Sequence, residues 1–71
     1  MQDRFSVVVN GDDVGGLFDR LVDAKGRAFE HLEAEPGASV AISVWQAGAT
    51  TPIRAHRFDQ ASGEWKVETA G

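Results

Sequence analysis

The sequence predicts an α+β domain in which a single helix packs on one face of a four- to five-stranded antiparallel sheet. Two observations lead to this prediction. Apolar residues alternate in strand-like runs at both ends of the chain, and one stretch between them repeats at helical spacing. The 71 residues are 42% hydrophobic and 25% charged, which is typical of one small globular domain over residues 1–71. The expected order is β-β-α-β-β-β, or β-α-β-β-β without a second early strand.

The first element is a strand over residues 5–9, in which Phe5, Val7 and Val9 are expected to face the helix. Asn10-Gly11 follows it. Both residues tolerate a positive φ, so the pair predicts a tight hairpin turn. Residues 14–18 are expected to return as a short second strand.

The helix is predicted to begin near Arg20, with Asp19 as its N-cap. An alternative start at Val14 would place Gly15-Gly16 in the first turns, at a cost of about 1 kcal/mol for each glycine. Pro36-Gly37 is expected to end the helix, because proline and glycine interrupt helical backbone.

Apolar residues of this helix recur at three- and four-residue spacing and predict one buried stripe. Lys25 is expected to lay its aliphatic stem along the edge of that stripe. Gly26 lies in the helix interior, which suggests a close approach of the sheet backbone. The predicted stripe comprises Leu21, Val22, Lys25, Ala28, Phe29 and Leu32.

Three strands are predicted in the second half of the chain. Residues 39–46 form the predicted central strand, with alternate valine and isoleucine side chains facing the helix. Residues 53–58 return beside it, and a bulge at His56-Arg57 is expected to bring Phe58 to the core side. A loop over residues 59–64 then leads to a final edge strand.

The net charge of −4 is concentrated in the first half of the chain. Residues 1–36 hold eight acids and four bases, whereas residues 37–71 hold three of each. Nucleic-acid binding needs clustered lysine and arginine, so this distribution disfavours it. An acidic surface instead favours a partner with a basic surface, although it is also typical of an ordinary solvated helix face.

The composition also limits the cellular context. There are no cysteines, which excludes disulfides, thiolate metal sites and a cysteine nucleophile. No apolar stretch of about 20 residues is present, so a membrane span is not expected. Residues 1–4 lack the features of a secretion signal, and a cytoplasmic location is therefore predicted.

Residues suited to catalysis do not form a recognisable set. The two histidines, His31 and His56, have no second histidine nearby in sequence, and no metal site is predicted. No serine lies in a Gly-x-Ser-x-Gly elbow. The glycine-rich segment 11–16 lacks the Lys-Ser/Thr of a phosphate loop and carries two acids that would repel phosphate. We therefore expect neither enzymatic activity nor a cofactor.

The remaining candidate is a surface. If the central strand turns its aliphatic side chains to the helix, Trp45 points away from it, and Arg54 and His56 are expected to share that outer face. Tryptophan and arginine are enriched at binding hot spots. The predicted protein-binding residues are Trp45, Arg54, His56, Asp23, Glu30 and Glu33.

These observations favour a small acidic, non-enzymatic protein-binding module, an inhibitor or adaptor that occupies the surface of an unidentified partner. One alternative is a structural domain that forms homodimers through the open sheet face. A second is a small-ligand or enzyme module with its site between subunits, because one such domain has little volume for a pocket.

Overall fold

In the computed structural model, residues 3–14 and 16–69 are described. They form one helix on one face of a five-stranded antiparallel sheet, which confirms the predicted fold class and the order β-β-α-β-β-β. The sheet order is β2-β1-β3-β4-β5. The elements are β1 (Arg4–Val9), β2 (Asp12–Asp13), α1 (Leu21–Ala34), β3 (Val40–Trp45), β4 (Arg54–Asp59) and β5 (Glu64–Thr69).

The core lies between α1 and the two strands β1 and β3. Val7 faces Ile42 and Val9 faces Val40 across the strand pair, and the side chains of all four are buried. The predicted helix-facing sides of β1 and β3 are therefore confirmed. The helix contributes Ala24 and Ala28, both fully buried, and their small side chains let the helix lie close to the sheet.

The hairpin between β1 and β2 is the one predicted from Asn10-Gly11. Asn10 has a φ of 54° and Gly11 a φ of 86°, so both occupy the left-handed region that this turn requires. The second strand comprises only Asp12–Asp13, so it lies before residues 14–18, where it was wrongly predicted. Phe18 nevertheless pairs with Phe5, so the chain returns along the same edge of β1. Gly15 lies outside the described residues.

The helix begins within one residue of the predicted start, but its N-cap differs. Arg20 is the N-cap, with extended backbone and no capping hydrogen bond from its side chain. Asp19 was wrongly predicted in that position, and its carboxylate instead pairs with Arg4 at 3.2 Å. At the other end, the Glu35 N–H donates to the His31 carbonyl at 2.9 Å, and Pro36-Gly37 follows as predicted.

The buried stripe of the helix is narrower than predicted. Its centre is Ala24 and Ala28, whereas Val22 is 68% exposed and Phe29 is 44% exposed. A methyl group added at Gly26 would meet nothing within 4 Å, so the expected close approach of the sheet is also wrong. Only small side chains of α1 fit directly between the helix and the sheet. The larger apolar side chains of α1 lie at the two sides of the helix.

The register of β4 corrects a further prediction. His56 lies opposite Ile42, Arg54 lies opposite Val44, and Phe58 lies opposite Trp65. The pairing is continuous, so the predicted bulge at His56-Arg57 is absent and alternate residues of β4 face the helix side. Polar side chains are tolerated there because the helix backbone contacts β1 and β3 but neither β4 nor β5.

Candidate functional site

The part of the sheet beyond the helix carries three aromatic rings that pack on one another. Phe29 projects from α1, Phe58 from β4 and Trp65 from β5. The ring centroids are 5.7 Å apart for Phe29 and Phe58, 6.0 Å for Phe29 and Trp65, and 5.2 Å for Phe58 and Trp65. All three pairs have the edge-to-face geometry that aromatic rings prefer.

This aromatic group is only partly covered. Phe29 is 44% exposed, and Val67, two residues beyond Trp65 on the same side of β5, is 57% exposed. We call Phe29, Phe58, Trp65 and Val67 the helix-side patch. A shallow hollow of about 260 Å³ adjoins it, lined by Phe29, Leu32, Glu33, Pro36, Phe58 and Gln60.

Positive charge borders the helix-side patch. The Lys25 Nζ lies 5.7 Å from the centre of the Trp65 ring, within the range of a cation–π contact. Arg54 and His56 project from β4 on the same side of the sheet. Partial burial, with the nearby charges of Lys25 and then Arg54, lowers the pKa of His56 below its ordinary value.

The basic residues at the patch differ from most others in the protein. Four of the seven lysines and arginines form ion pairs with carboxylates, namely Arg4, Arg27, Arg57 and Lys66. Within residues 3–14 and 16–69, Arg20, Lys25 and Arg54 make no ion pair. Two of these three bases, Lys25 and Arg54, border the helix-side patch, so the end of the patch beside them is positive although the protein as a whole is acidic.

Trp45 lies on the opposite face of the sheet, as predicted. Its indole Nε1–H donates a 2.9 Å hydrogen bond to the Ser6 hydroxyl, and Ser6 is only 1% exposed. The prediction that Arg54 and His56 share this outer face is wrong, because the register places both of them on the helix side. The structure therefore separates Trp45 from the two basic residues with which it was grouped.

The acidic candidates lie on the helix and do not converge with Trp45. Asp23 and Glu30 border a second shallow groove beside Phe18, and Glu33 borders the hollow at Phe29. All three acids are exposed. Glu30 pairs with Arg27 at 3.0 Å, a surface contact of the kind that contributes little to stability.

The described residues contain no group of three or more histidine, aspartate or glutamate side chains that could hold a metal ion. The His31 Nε2 is buried and has no hydrogen-bond partner among them.

No helix in the described part of the chain is long and apolar enough to cross a membrane. Comparisons of the chain with protein-family models, with curated proteins and with solved structures give no match.

Sequence reasoning identified the residues of the helix-side patch but not their association. Phe29 was predicted to be buried, and Phe58 was placed correctly on the core side only by means of a bulge. The segment that holds Trp65 and Val67 was predicted only as a final edge strand. A clearer signal was available. Phe58, Trp65 and Val67 flank one hairpin loop at spacings that put all three on one side of the two strands.

Proposed function

We propose that this protein is a non-enzymatic protein-binding module, an inhibitor or adaptor that holds its partner through the helix-side patch. The observation that supports this proposal is the incomplete cover of three aromatic rings packed edge to face. The helix lies over β1 and β3, and the rings of Phe58 and Trp65 extend beyond it. Aromatic side chains at the centre of a contact supply large buried area at low entropic cost, which makes them frequent anchors of protein interfaces.

The proposal uses Trp65 as the anchor in place of Trp45. The indole N–H of Trp45 already has a partner within the sheet, the Ser6 hydroxyl. Within residues 3–14 and 16–69, no hydrogen bond engages the indole N–H of Trp65, which leaves this donor available to a partner. In this proposal the helix acids Asp23, Glu30 and Glu33 attract basic parts of the partner's surface outside the patch and repel nucleic acid.

Two matched substitutions test this proposal. Val67→Asp places a charge in the helix-side patch, and Val22→Asp places the same charge on an exposed valine outside it. We expect proteins captured from a lysate of the source cells to be retained by the wild type and by Val22→Asp and to be lost with Val67→Asp. Circular dichroism checks that both variants are folded. Equal retention by the two variants would rule out the patch as the binding surface.

Homodimerisation through the outer face of the sheet is the second candidate function. Small, partly buried side chains form the centre of that face, and no described element covers them. They are Val8, Ala41, Ser43 and Ala55. A sheet face with small side chains at its centre suits packing of one sheet on another. Light scattering separates the candidates, because a monomer at high concentration removes both this dimer and any ligand site between subunits.

A further inference from the structure

We infer that the segment bound by the helix-side patch is apolar and acidic, with an aliphatic or aromatic side chain on the rings and a carboxylate directed to Lys25 and Arg54. This inference rests on the proposed protein-binding function and adds the chemistry of the partner. It differs from the basic partner expected from the net charge, because the end of the patch at Lys25 and Arg54 is positive.

The two bases beside the helix-side patch are complementary in charge to a carboxylate. Lys25 and Arg54 make no ion pair within the described chain, although eleven acids are available in the sequence. The fold therefore holds two cations beside an exposed apolar surface without neutralising them. A carboxylate that approaches both would gain attraction strengthened by the low dielectric of the apolar contact, and a basic segment would be repelled.

The arrangement of charge at the patch also favours a short segment over other occupants. A two-fold contact between copies of this chain that is centred on the bases would set Lys25, Arg54 and His56 of each copy against those of the other, and their repulsion opposes it. An extended polyanion such as nucleic acid would meet Glu33 at the other end of the patch. A short segment with one or two carboxylates satisfies the bases without reaching Glu33.

His56 provides a second readout of the same contact. Lys25 faces it from α1 and Arg54 from its own strand, while its cross-strand neighbours, Ile42 on β3 and Val67 on β5, carry no charge. A bound carboxylate would favour the protonated imidazole and raise its lowered pKa. Binding of an acidic segment should therefore strengthen as the pH falls from 7.5 to 6, and binding of an uncharged segment should not.

The test is selection of a random dodecapeptide library on the wild-type protein, followed by binding measurements on the enriched peptides with Val67→Asp. We expect patch-dependent peptides that combine aromatic or aliphatic residues with aspartate or glutamate. Patch-dependent peptides that are neutral or basic would overturn the inference and leave the proposed function standing. Failure to enrich any peptide that Val67→Asp weakens would overturn both.

Charge substitutions then locate the carboxylate. We expect Lys25→Gln combined with Arg54→Gln to weaken an enriched acidic peptide by about tenfold, and added salt to weaken the wild-type complex. Arg20→Gln removes a base that is also without an ion pair but lies at the start of the helix, and it should leave the affinity unchanged. An equal loss of affinity with Arg20→Gln would mean that only the net charge of the protein matters. Tighter binding of a single-stranded dodecanucleotide than of the enriched peptide would assign the patch to nucleic acid. Either result overturns the inference.

Discussion

The Trp45 indole N–H donates to the Ser6 hydroxyl at 2.9 Å across the open face of the sheet. Ser6 is 1% exposed although it lies on the side of the sheet away from the helix. Its partner across the strands is Ser43, and Trp45 is two residues further along β3, so the hydrogen bond runs diagonally between neighbouring strands. A polar group is thus buried on this face with its hydrogen bond satisfied.

Removal of the Ser6 hydroxyl should destabilise the fold by about 1 kcal/mol, because the Trp45 N–H would lose its partner. Trp45→Phe removes the donor as well as some contact area. In a double-mutant cycle by urea denaturation, we expect Ser6→Ala to cost less in the Trp45→Phe background than in the wild type. Additive effects would show that the hydrogen bond contributes nothing.

Gly26→Ala should stabilise the protein by about 0.5–1 kcal/mol, because alanine has the higher helix propensity and the added methyl group meets nothing within 4 Å. Thermal or chemical denaturation measures the change. Gly63→Ala is the matched control and should destabilise, since Gly63 has a φ of 72° in the loop between β4 and β5. A loss of stability with Gly26→Ala would reveal a contact at this helix position.

Asn10 combines a turn conformation with a hydrogen bond. Its φ is 54°, and its Oδ1 accepts the Ser39 N–H at 3.0 Å. Asn10→Gly loses only the hydrogen bond, whereas Asn10→Ala also places alanine in the left-handed region at a cost of about 1 kcal/mol. We therefore expect Asn10→Ala to be the less stable variant in urea denaturation. Equal stabilities would indicate that the turn changes conformation.

His56 should make the fold less stable in mild acid. Its folded-state pKa lies below the ordinary value of 6.5, so between these two values the unfolded chain binds more protons than the folded protein. The free energy of unfolding therefore falls as the pH is lowered through about 6.5 towards the folded-state pKa. Denaturation at pH 7.5 and 5.5 should show this loss, and His56→Gln should reduce it. An unchanged pH dependence in His56→Gln would assign the effect to another group.

Asp59 acts in a separate pH range. Its side chain accepts hydrogen bonds from Lys66 and Ser62, and these, with Lys66 first, lower its pKa below 3.8. The resulting stabilisation is present above pH 3.8 and disappears as the pH falls through the lowered pKa. Measurements of His56 between pH 5.5 and 7.5 are therefore free of this contribution.

Local patterns in the sequence determined most of the secondary structure. The alternation of Val40, Ile42 and Val44, the Asn10-Gly11 turn and the Pro36-Gly37 stop were each interpreted correctly, because short-range sterics and a period of two or 3.6 residues govern them. The fold class followed from the order of these elements.

Only the tertiary structure decided where the helix lies on the sheet. That position leaves β4 and β5 beyond its cover and brings Phe29 onto Phe58 and Trp65. The pairing of β4 with β3 likewise places Arg54 and His56 on the face opposite to the predicted one. Periodicity says which residues of a strand share a side, but not which side a helix covers or how far. That choice depends on the fit of Ala24 and Ala28 against β1 and β3, a packing contact between residues distant in sequence.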